Sequence, residues 1–428
     1  MAETNKNNYF KGLYLLFFVE MWERFAYYGM RALIVLYMVQ NLMFSTQKAG
    51  NIYGLYTGFV YLTPIIGGYL ADRFFGQRKC ITTGAILMSC GLFMLAFGHK
   101  NLFLFSLFLM ITANGFFKSN ISSVLGLLCA NNEEQKDSAY TIFYMGINLG
   151  AFLSPLICGT LAVKYGYEAG FAASGIGMLI GLFIYKIFEN SFLGDAGKEP
   201  SQKPAKTITE NNPATADSKK QFLALGALML FTIPFWICFE QAGSSLTLFA
   251  QYQTNRNIFG YIIPAGYFQS LNPLFIIIFA PLLSIFWGNL RKHGKEPSSV
   301  QKFAAALCLM SAAYIIMIFA GHYAEQNAVS CLWLASVYFV MTIAELCISP
   351  IGLSLVSKLA PVQFLSLTMG CWFLTSFFGN LIAGIIGGKY ETLPHTTLFG
   401  IFAVISAAAC IILLLSIPKF EQIMKKKI

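Results

Sequence analysis

Charge is scarce in this chain: 11% of its 428 residues are Asp, Glu, Lys or Arg, against ~25% in a soluble domain. With 57% hydrophobic residues and a mean hydropathy of +0.62, that deficit excludes a soluble globular protein and indicates an integral membrane protein. Histidine is scarcer still. The four present, His99, His293, His322 and His395, fall in predicted loops or at span ends. No nucleophile–histidine pair and no metal-binding cluster is visible, so the sequence does not indicate an enzyme. The ten cysteines are scattered singly, without C-x-x-C spacing, and read as small apolar packing residues rather than zinc or haem ligands. There is no Walker A lysine loop, which leaves an ATP-driven pump without an engine. No sizeable soluble domain or interaction tail speaks for a receptor or scaffold. The alternating polarity of barrel strands is also missing. The first apolar stretch, from about Leu13 to Met43, lacks a small-residue cleavage site and is too long for a signal-peptide core, so it is expected to remain as the first span.

What is present is a series of long apolar runs. Twelve are counted, near 11–42, 48–71, 80–98, 102–129, 138–163, 169–191, 221–251, 265–289, 300–321, 329–357, 364–388 and 396–418. Each has about twenty residues or more, enough to cross ~30 Å of hydrocarbon as a helix. Segment 192–220 differs: it is polar, rich in Pro, Ser and Lys, and reads as a flexible linker. The organisation expected is a six-helix bundle over 1–193, a linker over 194–220 and a second six-helix bundle over 221–428. If both termini are cytoplasmic, only Lys48, Lys100, Lys164, Arg256 and Lys389 lie outside, and Arg24, Arg31 and Lys118 are intramembrane. The rest of the 29 Lys and Arg then sit on the cytoplasmic side, as the positive-inside rule requires. The net charge of +10 is therefore an orientation signal and not a nucleic-acid footprint. A faint internal echo links the basic, Gly-containing turn of G-G-Y-L-A-D-R-F-F-G-Q-R-K (67–79) to W-G-N-L-R-K-H-G-K (287–295). Parallel six-span repeats of this kind mark major facilitator folds, with the substrate site between the halves near the midplane.

Seven ionisable residues fall inside the apolar spans: Glu20, Glu23, Arg24, Arg31, Lys118, Glu240 and Glu345. At ~2.5–3.5 kcal/mol each, seven unpaired charges would cost roughly 17–25 kcal/mol, more than the ~5–15 kcal/mol that holds a typical fold. They must pair, hydrate or face a polar cavity. Glu20, Glu23, Arg24, Tyr27 and Arg31 fall at i, i+3, i+4, i+7 and i+11, one face of the first helix. Glu20 and Arg24 have the spacing of an ion pair. An incoming anion that takes the Arg strips the Glu of its counter-charge and favours proton uptake, which couples substrate to proton. Lys118, deep in the fourth span, needs a carboxylate partner; the candidates are Glu20, Glu23 and Glu345. A Lys118–Glu345 bridge across the halves would open on protonation or substrate binding.

Glu240 follows Trp236 by four residues, which stacks the two on one helical face. Asn148 and Asn272 are amides in apolar spans, where bonding between helices is the competing explanation. Tyr27, Tyr28, Tyr61, Trp236 and Trp372 lie near intramembrane polar residues or in mid-span, and their polar-tipped rings suit a pocket for varied side chains. Asp72 and Arg73 read as a structural turn at the end of the second span.

These residues bring the chain close to a known family. It resembles the proton-dependent oligopeptide transporters of the major facilitator superfamily along nearly its whole length. The most specific match is the glutamate–x–x–glutamate–arginine signature, Glu20, Glu23 and Arg24, followed by F-A-Y-Y-G. Further matches are G-G-Y-L-A-D-R at 67–73, F-F-K-S-N-I-S at 116–122, F-Y-M-G-I-N-L-G at 143–150 and E-L-C-I-S-P-I-G-L at 345–353. The resemblance implies an all-α membrane protein of twelve transmembrane helices in two six-helix bundles, importing di- and tripeptides with protons by alternating access. It assigns Glu20, Glu23 and Arg24, with Lys118 and Glu345, to proton coupling. Arg24, Arg31 and Lys118 would receive the peptide carboxylate. Glu345, with Asn148 and Asn272, would hold the ammonium. Tyr27, Tyr28, Tyr61, Trp236 and Trp372 would line side-chain pockets, with Glu240 and Ser349 at the same site. Two departures stand out. The linker is too short and polar for the two extra helices many bacterial members carry, and the second span has no arginine near its outer end. The expected partners are peptide, protons and lipid, without nucleic acid; the expected state is a monomer. No cofactor is expected beyond the proton gradient. The expected location is a plasma membrane or bacterial inner membrane. The same fold could carry a single amino acid, nitrate or another small metabolite.

Overall fold

The computed structural model describes residues 2–129, 133–200, 216–359 and 365–424. Its helices are α1 (Ala2–Gln40), α2 (Thr46–Leu70), α3 (Gln77–Ala96), α4 (Lys100–Leu128), α5 (Glu133–Tyr165), α6 (Tyr167–Phe192), α7 (Ala216–Leu230), α8 (Thr232–Phe239), α9 (Ser245–Tyr252), α10 (Leu271–Lys292), α11 (Ser299–Ala324), α12 (Cys331–Leu359), α13 (Leu365–Gly387) and α14 (His395–Met424). The strands are two-residue pairs in the connections: β1 (Thr254–Asn255) lies parallel to β4 (Val329–Ser330), and β2 (Asn257–Ile258) antiparallel to β3 (Tyr261–Ile262). The spanning part is helical throughout the described residues, as backbone in hydrocarbon must be.

Ten described helical segments are long and apolar enough to cross a membrane, and they coincide with the third to twelfth predicted spans. α1 and α2 occupy the first two predicted positions and are 39 and 25 residues long. Their length suffices; charge dilutes the hydropathy of α1, and Thr46, Gln47, Lys48, Asn51 and five glycines dilute that of α2. The chain divides into two compact units, Met1–Tyr37 with Phe59–Ile208, and Met38–Gly58 with Thr209–Ile428.

The seventh predicted span is not the single helix that hydropathy suggests. It runs as α7, α8, a 3₁₀ turn over Glu240–Gly243, and α9. Pro234 has no N–H to return to Leu230, so the ladder fails at the α7–α8 junction. There the Thr232 hydroxyl donates to the Met229 carbonyl (2.7 Å) and to Thr375 of α13 (2.8 Å).

Each unit has a dry core, Leu16, Met30, Met110 and Phe171 in the first and Phe235, Leu307, Tyr314 and Phe399 in the second. Outward faces are equally apolar: Leu104, Phe105 and Phe108 on α4, and Leu282, Ile285 and Phe286 on α10, are exposed. A soluble protein would hide such surface; here acyl chains cover it.

The predicted linker needs one correction. Residues 201–215 lie outside the described residues, but the segment just after α6 is held rather than free. Arg78 donates through Nη2 to the Gly194 carbonyl (2.6 Å), through Nε to Ala196 (2.8 Å) and through its backbone N–H to Gly197 (2.9 Å). A buried guanidinium thus satisfies carbonyls just past the end of α6.

Candidate functional site

In the first unit the site is built on α1. Glu20, Glu23, Arg24, Tyr27 and Arg31 are each no more than 9% exposed, as a polar face turned inward requires. Gly150 of α5 lets the two backbones close. A Cβ there would stand 2.2 Å from the Met21 carbonyl oxygen and 3.1 Å from the Arg24 Cβ. Arg24 Nε lies 3.1 Å from Glu20 Oε1 and 2.5 Å from Glu23 Oε2, so one guanidinium meets both carboxylates of the signature. The i to i+4 pair expected between Glu20 and Arg24 is present, and Glu23 joins it.

Lys118, on α4, rests its ammonium 4.5 Å from the centroid of the Tyr61 ring. Its charge also acts on Glu20 and Glu23. The local set is therefore two carboxylates against two cations. Arg24 lies over Tyr27 (5.5 Å) and Arg31 over Tyr28 (5.6 Å), with the two tyrosine rings edge to face at 5.1 Å. The three tyrosines singled out in this unit thus seat its cations as well as offering ring surface. Asn148 is buried, and its amide donates to the Tyr144 carbonyl of its own helix (3.0 Å).

Several buried polar atoms here have no hydrogen-bond partner among the described residues: Glu20 Oε2, Glu23 Oε1, Arg24 Nη2 and both amide atoms of Asn114. Buried polar atoms are rarely left so, and a group of them marks room for water or ligand. Asn114 was not among the sequence candidates. Its signal was available, since it precedes Lys118 by one helical turn in N-G-F-F-K.

In the second unit the site centres on α12. Asn272 of α10 donates its amide to Glu345 Oε2 at 2.8 Å and to the Thr342 hydroxyl at 3.1 Å. Helical spacing puts Ser349 and Gly352 on the same face of α12, one and two turns beyond Glu345. The Trp372 ring of α13 fills the space over Gly352, where a Cβ would come within 1.9 Å of it. Trp372 is itself buried, and Ser349 Oγ has no hydrogen-bond partner among the described residues. Glu240 and Trp236 are buried as well. Glu240 caps α8 in the helical region, its N–H returning to the Trp236 carbonyl, which leaves it one turn beyond Trp236, and it then opens the 3₁₀ turn. Gln241 anchors that turn, donating to Ile237 (3.1 Å) and Ala383 (3.0 Å) and accepting from Ser244 (3.1 Å) and Ser245 (2.7 Å). Neither Gln241 nor Thr342 was a sequence candidate; both are ordinary polar residues until their partners are known. Lys118 and Glu345 belong to different units.

Known proteins resemble this chain in sequence and fold. A family model described as "POT family" matches residues 78–193 and 188–398. The transporter YclF of Bacillus subtilis (strain 168) is 34% identical, over 97% of this chain and 95% of its own. A di-/tripeptide transporter of Lactococcus lactis subsp. cremoris is 31% identical, over 95% of this chain and 94% of its own. Among solved structures, the peptide transporter POT in complex with sulfate superposes with a TM-score of 0.89 at 32% identity, covering 96% of this chain and 95% of that one.

Proposed function

The chain belongs to the POT family, and on that premise we propose that it carries di- and tripeptides into the cell together with protons, by alternating access of a major facilitator fold. The observation that carries the reading is the buried set of Glu20, Glu23 and Arg24, with the half-buried Lys118 beside it. Two acids and two bases balance in the empty protein. A peptide carboxylate that takes Arg24 or Lys118, with Arg31 as a further cation for it, strips Glu20 and Glu23 of counter-charge while they stay buried. The inexpensive response is a proton on Glu20 or Glu23, shared between them as a coupled pair. Substrate and proton are then bound together or not at all.

The peptide's other end is an ammonium. Glu345 is the acid suited to receive it, oriented by Asn272, with Glu240 as a further anion of the same unit. Di- and tripeptides share both termini and differ in side chain, so charge at the ends and rings between them select the class without selecting one sequence. Tyr27, Tyr28, Tyr61, Trp236 and Trp372 supply that ring surface, and Ser349 a nearby hydroxyl. A bridge between Lys118 and Glu345 would close one side of the pathway when no peptide holds them apart. Both termini are cytoplasmic in this scheme, the chain works as a monomer in a plasma or bacterial inner membrane, and the proton gradient is its energy source. The distribution of Lys and Arg supports that orientation.

The test is uptake of labelled dialanine into proteoliposomes under an imposed inward proton gradient, with a single amino acid and nitrate as competing substrates. Saturable, gradient-dependent dialanine uptake is expected. The Glu20→Gln, Glu23→Gln double variant is expected to lose gradient-driven accumulation while still exchanging peptide down its own gradient. Normal accumulation by that variant would remove the coupling assignment. Preference for the amino acid or nitrate would replace the substrate and leave the fold as it is.

A further inference from the structure

The second unit has a cavity remote from Glu345 along the helices, at the opposite end of α14 from the C-terminus. Its volume is about 630 Å³, and it is lined by Tyr252 and Gln253 after α9, Glu325 after α11, the turn from Tyr390 to Pro394, and His395 at the start of α14. The size is that of a small-molecule site. Its floor is aromatic. Tyr390 is buried, its hydroxyl donates to Gln253 Oε1, and the His395 ring lies along it at 4.8 Å between centroids. Phe249 meets the other side of that imidazole edge to face at 5.9 Å.

The charged lining residues are both acids, Glu325 and Glu391; among the described residues no Lys or Arg lines the cavity. The nearby cations do not cancel them. Lys48 is parked 3.9 Å from the Phe44 ring, and Lys389 points into solvent from the turn. The Thr46 hydroxyl donates to Glu391 Oε2 (3.2 Å) and leaves its charge intact. His395 Nδ1 is buried with no hydrogen-bond partner among the described residues, an acceptor when the proton is on Nε2. Two carboxylates and the aromatic faces beside them make a receptor for a cation. Among the described residues no three His, Cys, Asp or Glu groups converge closely enough to hold a metal ion. The acceptors are spread around a volume larger than one coordination sphere, so the fitting cation is organic.

We propose that this cavity binds the protonated amine of a small organic cation, with carboxylates on the N–H groups and rings on the alkyl face. Two sources share that chemistry, the amino terminus of an arriving peptide and a free amine. The inference goes beyond the transport reading and does not depend on it, because binding can be read without transport.

The full chain in detergent is titrated with putrescine and with tetramethylammonium at fixed ionic strength, following the thermal unfolding midpoint. Both amines are expected to raise the midpoint, and the half-effect concentration is expected to rise about fivefold or more in E325Q/E391Q. Dialanine uptake by the same variant is measured alongside. A raised KM at unchanged maximal rate assigns the cavity to the peptide's ammonium; unchanged uptake with a weakened amine response assigns it to free amines. An amine response that is absent or equal in parent and variant, together with an unchanged KM, overturns the proposal. Should the double variant fail to fold, E325Q and E391Q singly are read in the same way, since each keeps side-chain shape and removes one charge.

Discussion

The two units solve the same problem, a carboxylate buried in a membrane protein, in opposite ways. In the first unit Glu20 and Glu23 face Arg24 at 3.1 and 2.5 Å, with Lys118 acting on both. In the second unit the group on Glu345 Oε2 is the neutral amide of Asn272, at 2.8 Å. Opposite charges discharge one another, so the first cluster is quiet until something disturbs its balance. A neutral amide orients the Oε2 side of the carboxylate without discharging it. In the proposed scheme the first arrangement couples protons and the second receives a cationic group. Breaking each arrangement should therefore have consequences of different size.

The largest effect is expected at Arg24. Arg24→Ala leaves two buried carboxylates against one remaining cation, and breaking a buried pair from one side costs ~3–5 kcal/mol. The thermal midpoint in detergent should fall and gradient-driven uptake should vanish. A stable, active Arg24→Ala protein would end the contrast between the units. Next comes Gly352→Leu. The added side chain must displace the Trp372 ring, an overpacking that costs ~1–3 kcal/mol. Thermal unfolding and uptake of bulky dipeptides against dialanine measure it, with the bulky substrates expected to suffer more. Asn272→Ala removes one hydrogen bond to a charged group, ~1.5–3 kcal/mol in principle and less where Thr342 or water relaxes into the gap. The expected signature is a KM raised about tenfold for peptides with a free amino terminus, with proton coupling preserved. Loss of coupling in Asn272→Ala would mean that the two clusters work in the same way.

The smallest effect belongs to a third acid, outside the membrane. Glu296 lies 2.5 Å from Arg291 Nε and 2.8 Å from Lys302 Nζ. Those hydrogen bonds, Arg291's first and Lys302's next, hold its carboxyl down at about 2, against an ordinary 4.5. Because the folded value is the lower one, the stabilisation is complete above pH 4.5 and disappears as pH falls toward 2. Arg291 is open to solvent while Lys302 is buried and Glu296 partly covered, and a pair with one exposed partner in a chain this long should shift the midpoint little, so Glu296→Gln should lower it at neutral pH by about 2 °C. The difference from the parent protein should close in that acid window.

How much of this could be read before the structure depends on chain distance. The α1 stripe was legible because Glu20, Glu23, Arg24, Tyr27 and Arg31 sit within twelve positions of one helix, where the 3.6-residue period sorts them onto one face. Lys118 was legible as an anomaly, though its seat on Tyr61 was not. The bond from Asn272 to Glu345 spans 73 positions and had no trace in either local sequence. The break between α7 and α8 was hidden by hydropathy, which sees an apolar run and not the missing N–H of Pro234. Arg78 counted as one positive charge among many near the membrane surface; its hold on Gly194 and Ala196 makes it a fastener for the first residues after α6.

Span positions, the inward face of α1 and the excess of basic residues at one end follow from hydropathy, helical period and charge placement. These are properties of neighbours along the chain, and they survive whatever the helices do to one another. Which ring seats each cation, which amide meets Glu345, where Trp372 rests and where the acidic cavity opens were decided by how the helices cross. A crossing joins residues that are dozens or hundreds of positions apart, through contacts only a few ångströms long, and no local pattern carries that information.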